Sequence, residues 1–147
     1  MRRYFLTFCT AERRRVFVSH DVSDVVLRQI LRTASEFDIV VDVHCLMPDL
    51  VHLLVEGRSE SANVSKFVHQ AKQRTGYLFA QRHGMRLWQP SFYDHVLRDD
   101  DAVLSVARYI IENPVRAGLV RSARDNRFLG AREYTIDQIL EAACWQP

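Results

Sequence analysis

Two runs of β-forming residues, Ile39 to Leu46 and Leu50 to Glu56, are separated only by Met47-Pro48-Asp49. Proline fixes φ and aspartate favours turns, so the spacing predicts a reversal and an antiparallel hairpin. Arg2 to Thr10, rich in aromatic and β-forming residues, reads as another strand, and Phe92 to Leu97 as a short one. Val22, Val25, Val26, Ile30 and Phe37 return at helical spacing, which predicts a helix over Val22 to Phe37 capped by Ser23 or Asp21. A longer helix is predicted over Ser61 to Arg82, with Val64, Phe67, Val68, Ala71 and Leu78 along one side and Gly84 at its end. Asp99-Asp100-Asp101 starts a further helix, acidic where the helix dipole favours negative charge. It is expected to run to about Asn113 and stop at Pro114, with Val115 to Val120 adding a short helical turn. Asn126 to Tyr134 reads as irregular and Ile136 to Cys144 as a weak terminal helix. The order β-α-β-β-α-β predicts an α+β, ferredoxin-like antiparallel sheet with helices on one face. The helix bearing Tyr109 and a short C-terminal helix are added to it.

The chain has 147 residues, a length suited to one domain over 1–147, with about 133–147 as a peripheral C-terminal helix. With 48% apolar and 26% charged residues, one ordinary core can be buried. No stretch reaches the roughly 18 uninterrupted apolar residues of a membrane span, and none resembles a signal peptide. Cys9, Cys45 and Cys144 lie far apart and form no CxxC pair, so a disulfide framework or zinc knuckle is not indicated. A reducing, cytoplasmic setting fits this usage. The net charge of +2 is modest for a nucleic-acid domain. Its kind is more informative: apart from Lys66 and Lys72, every basic residue is arginine, the side chain that grips phosphate in a fork and stacks on bases. A GC-rich coding sequence would give the same bias.

Two segments can carry chemistry. On the strand Leu50 to Glu56, His52 shares a face with Leu50 and Leu54. An imidazole among leucines requires a partner: a neighbouring carbonyl in a structural role, or a metal ion. On the helix after Asp99, the apolar stripe is Val103, Val106, Ala107, Ile110 and Ile111. Tyr109 lies off that stripe, one turn before Asn113 on the same face. Tyr109 could be a boundary tyrosine, and Asn113 before Pro114 a helix cap.

Taken together, the segments carry a family pattern. Met47-Pro48, Val51-His52-Leu53-Leu54, Leu87-Trp88-Gln89, Phe92 to Arg98 and Tyr109 to Val120 resemble, in order and approximate spacing, the single-tyrosine HUH transposases. The resemblance is closest to the REP-associated tyrosine transposase subgroup, which is linked to repetitive extragenic palindromes. It implies that Tyr109 attacks single-stranded DNA, forms a 5′-phosphotyrosine, frees a 3′-hydroxyl and allows rejoining at hairpin or palindromic sites. It also implies a divalent cation, Mg²⁺ or Mn²⁺, held by two histidines of the strand and a polar residue four after the tyrosine. Those positions are Leu50, His52 and Asn113.

The first histidine is therefore replaced by a side chain with no lone pair. Weak metal binding and impaired cleavage are expected. A domesticated relative that binds DNA hairpins without cutting is the alternative. Asp49, through a bulge, or His44, through a particular hairpin register, could supply the missing ligand. Lys66, Gln70, Gln73 and Arg74 on the long helix, with Arg98 and Arg116, could track a phosphate backbone. Trp88 and Phe92 could stack on unpaired bases, although Trp88 reads first as an ordinary core aromatic. The expected partner is single-stranded or hairpin DNA, bound by a monomer or a homodimer, with no membrane role.

Overall fold

The hairpin forms the centre of a five-stranded antiparallel sheet in the order β4-β1-β3-β2-β5. The computed structural model describes residues 2–126, 129–143 and 145. The strands are β1 (Arg3–Cys9), β2 (Ile39–Met47), β3 (Leu50–Gly57), β4 (Tyr93–Leu97) and β5 (Leu129–Ala131). The helices are α1 (His20–Glu36), α2 (Val64–His83), α3 (Asp100–Arg116) and α4 (Ile136–Leu140). Strand β3 pairs with β1 on one side and β2 on the other, so it is central. The first four strands give the ferredoxin-like order expected from the sequence.

Residues opposite one another across a ladder share a face. Leu6 and Phe8 lie opposite Leu53 and Val51, and that face packs on Val26 and Ile30 of α1 and on Phe67, Val68 and Ala71 of α2. Phe5 lies opposite Leu54, and this second face packs on Val103, Val106, Ala107, Ile110 and Ile111 of α3. The stripe read from the sequence is thus the buried one, and each large aliphatic member contributes about 1.5–3 kcal/mol on leaving water. The α1 and α2 helices cover one face, as expected, while the tyrosine helix covers the opposite one. The chain is a three-layered sandwich around its sheet.

Four local expectations are corrected. Ser19 caps α1, accepting from Val22 N at 3.3 Å. Ser23 is instead buried, its hydroxyl donating to the carbonyls of Phe17 and Ser19. On α2, Leu78 is exposed and Phe79 takes the core position, because the apolar stripe drifts around a long straight helix. Pro114 does not end α3. Only the last turn follows it, so a single missing N–H donor is tolerated, and the helix stops at Gly118, whose φ is 73°. Finally, the segment read as irregular contains β5, which pairs Val43, His44 and Cys45 with Ala131, Gly130 and Leu129. Gly130 is required there, because a Cβ would meet the His44 ring at 2.3 Å. The predicted end of the terminal helix, Cys144, lies outside the described residues.

Candidate active site

The second face of the sheet gathers the candidate residues. His52 lies on β3 between Thr7 of β1 and Cys45 of β2, and only 6% of it is exposed. Its Nδ1 is 2.9 Å from the Thr7 hydroxyl. If Nδ1–H donates to Thr7, Nε2 keeps its lone pair, the arrangement a metal-ligating histidine needs. Burial pushes the imidazole down to about 4, helped by the positive charges of Arg116 and Arg13 and opposed by Asp49. The ring is therefore neutral at physiological pH, and its basicity is weak.

Tyr109 faces this histidine from α3. The two ring centroids are 6.3 Å apart, and both rings adjoin Phe5, at 5.2 Å from His52 and 6.0 Å from Tyr109. The Arg116 guanidinium lies 4.1 Å over the Tyr109 ring, and its Nη2 donates to the Tyr109 carbonyl at 2.5 Å. A cation over an aromatic face is held by the ring's quadrupole, about 0.5–1 kcal/mol where exposed. Only one of the guanidinium's five N–H groups is engaged among the described residues, which leaves a fork for an anion beside the tyrosine.

Asn113 is half-buried one turn beyond Tyr109. Because α3 runs on past it, Asn113 is a helix-interior residue and caps nothing; its carbonyl accepts from Ala117 N at 3.0 Å. Its side-chain amide makes no hydrogen bond among the described residues.

Leu50 stands two residues before His52 on the same face, between Cys9 and Met47. Neither proposed substitute reaches that position. The hairpin register places Cys45 opposite His52, so His44 points to the other face, under Gly130. Burial lowers His44 to about 4 as well. Asp49 sits in the turn with no bulge beside it, and its carboxylate pairs with Arg13 at 2.8 Å.

The other predicted contacts divide between the faces. Lys66 and Gln73 are exposed on α2, across the sheet from Tyr109, and Gln70 is half-buried there. Arg74 pairs with Glu36 at 2.6 Å and ties α2 to α1. Arg98 is exposed at the start of the loop into α3. Trp88 is a core residue: it is 5% exposed, donates from Nε1 to Thr75 at 2.8 Å and packs against Phe8 and Phe17. Phe92 is 36% exposed, at the rim of a groove of about 750 Å³ lined also by Lys72, Gln73 and Arg86.

Three neighbours of the site were not foreseen. Thr7 and Phe5 follow from the β1–β3 register, which no local pattern announces. Trp145 comes from the far end of the chain. Its N–H donates to the Ser105 carbonyl at 3.2 Å, and Ser105 Oγ donates to the Ala143 carbonyl at 2.8 Å. The Trp145 ring thereby stands edge-on to Tyr109, with centroids 5.3 Å apart.

Comparison with known proteins agrees with this architecture. Residues 2–113 match the family described as "Transposase IS200 like". A Haemophilus influenzae protein named as a REP-associated tyrosine transposase is 23% identical over 133 residues, covering 83% of this chain and 75% of its own. Among solved structures, a REP-associated tyrosine transposase bound to a REP hairpin superposes with a TM-score of 0.76 at 19% identity, over 87% of this chain and 75% of that one. A Deinococcus radiodurans protein described as a transposase superposes with a TM-score of 0.58 at 23% identity, over 75% of this chain and 89% of that one. At such identities the structural matches establish the fold. The family match covers most of the chain, and the chain belongs to the IS200-like transposase family. No helix among the described residues is long and apolar enough to cross a membrane.

Proposed function

We propose that the chain acts on single-stranded DNA at hairpin or palindromic sites, with Tyr109 as nucleophile, and that Leu50 leaves this activity impaired. The observation that carries the proposal is the placement of Tyr109 over His52, ring centroids 6.3 Å apart, with the Arg116 cation against the tyrosine. The Tyr109 oxygen would attack phosphorus, the bond to the departing 3′-oxygen would break, and a 5′-phosphotyrosine would form. Arg116 would hold the phosphate through its free N–H groups. Hairpin DNA is assigned as the partner because the REP-associated relative is bound to a REP hairpin.

The donor set fits a divalent cation only in part. His52, neutral and oriented by Thr7, and the amide oxygen of Asn113 would hold Mg²⁺ or Mn²⁺, while Leu50 contributes nothing. Bound there, such a cation would supply charge neutralisation to the phosphate. Losing a group that merely orients a ligand costs about 10–100-fold in affinity or activity, so losing a ligand costs at least that.

The test incubates the protein with hairpin-bearing single-stranded DNA and Mn²⁺ and looks for a denaturation-resistant covalent adduct. A weak adduct that disappears in Tyr109→Phe and grows in Leu50→His supports the proposal. An adduct that survives Tyr109→Phe removes Tyr109 as nucleophile. Leu50 also favours the second reading, a hairpin binder that no longer cuts. Salt-sensitive hairpin binding with no adduct, even in Leu50→His, would select it, and absence of DNA binding removes both.

A further inference from the structure

On the same sheet face as His52, but four residues further along β3, three carboxylates converge. Asp42 sits at the β-bulge between Val41 and Val43 of β2, Glu56 lies on β3, and Glu133 follows β5. One ligand atom from each lies within 4.8 Å of the others. Acidic groups often cluster without consequence when water surrounds them. Asp42 is different: it is 3% exposed, and neither carboxylate oxygen has a hydrogen-bond partner among the described residues. Arg3 is close, and contacts Glu56 at 3.4 Å and Glu133 at 3.5 Å. Arg132 uses its backbone N–H on the Asp42 carbonyl, at 2.8 Å. A buried carboxylate with both oxygens unused is a group built for a partner that the polypeptide does not supply.

We propose that Asp42, Glu56 and Glu133 form a binding site for a hard divalent cation of the Ca²⁺ class, separate from the His52 site. Oxygen is the ligand such ions prefer, at about 2.3–2.6 Å, so ligands on opposite sides of one ion stand about 4.6–5.2 Å apart. The three oxygens already lie inside that span, and water would complete the shell. The ion would offset the mutual repulsion of the three carboxylates, which Arg3 and Arg132 offset only in part. Burial, then Glu56 and Glu133, hold the Asp42 carboxyl up at about 6, with Arg3 and Arg132 opposing.

The position of the site suggests its use. Strand β5 is three residues long and lies at the edge of the sheet, paired with β2. Glu133 lies just beyond it. The ion would clamp the β2 bulge, the end of β3 and the start of the C-terminal segment together. That segment continues into α4 and to Trp145 beside Tyr109. The clamp would therefore set how firmly the chain's end is held against α3.

Tb³⁺ titrated into the full chain tests this, because Tyr134, adjacent to Glu133, is placed to sensitise its luminescence. Saturable emission, competed by Ca²⁺, is expected. Asp42→Asn and Glu133→Gln should each weaken it at least about 10-fold, since each removes a ligand. Glu133 is exposed, so the second variant keeps the fold if the first is disturbed. His52→Ala should leave the emission intact, which separates this site from the proposed catalytic one. No saturable emission overturns the proposal, as does emission that survives both carboxylate substitutions or is lost with His52→Ala.

Discussion

In chelator, with divalent cations removed, Asp42→Asn should make the protein more stable at pH 8. The side chain is almost fully buried, has no hydrogen-bond partner on either oxygen, and faces Glu56 and Glu133. Its folded carboxyl is raised from 3.8 to about 6, so the folded state holds this proton more tightly than the unfolded chain. Below the unfolded value both states are protonated and the contribution to stability is complete. As pH rises through about 6 that contribution is lost, to the extent of about 3 kcal/mol. Asparagine has nearly the same shape and never ionises, so it escapes the loss. For a chain of this size the gain corresponds to a midpoint roughly 6–12 °C higher. Thermal unfolding of both proteins at pH 8 and near pH 4, in chelator, measures it. The two should converge at the lower pH, where Asp42 is protonated; effects of the histidines are common to both and cancel. A variant equal to or less stable than the parent at pH 8 would show that Asp42 is not an unpartnered buried charge. Added Ca²⁺ should narrow the gap by stabilising the parent alone.

Three further outcomes are expected. His52 and His44 are both lowered from 6.5 to about 4, so the folded state binds their protons less readily than the unfolded chain. Stability should be full above about pH 6.5 and fall by up to about 3 kcal/mol per histidine toward pH 4, a slope that His44→Gln should flatten in denaturant titrations. Thr7→Val leaves the buried Nδ1 of His52 without its partner; urea unfolding should show a loss of about 1–3 kcal/mol, and an unchanged midpoint would mean Thr7 does not hold the ring. Arg116→Leu should weaken hairpin binding and reduce the dependence of log affinity on log salt by about one, whereas an unchanged salt slope would place the phosphate elsewhere.

Much of this was legible in the sequence because it rests on local periodicity. The Met47-Pro48-Asp49 turn set the central hairpin, and the Val103 to Ile111 stripe named the residues by which α3 packs on the sheet. Tyr109, off the stripe yet beside it, was legible as a residue at the edge of a packed face. The absence of a lone pair at Leu50 is plain from the residue type itself.

What the sequence could not decide was which elements meet. Nothing local places α3 on the face of the sheet opposite α1 and α2, because an apolar stripe fits either face. Only the ladder register decides that Thr7 and Cys45, not His44, flank His52, since a slip of one residue reverses every side chain on a strand. Trp145 against Tyr109, and the convergence of Asp42, Glu56 and Glu133, join positions far apart in the chain. Each of these residues is unremarkable in its own segment. A polar group buried without a partner, as at Asp42, is a property of the packed molecule, because burial itself is decided by residues remote in sequence.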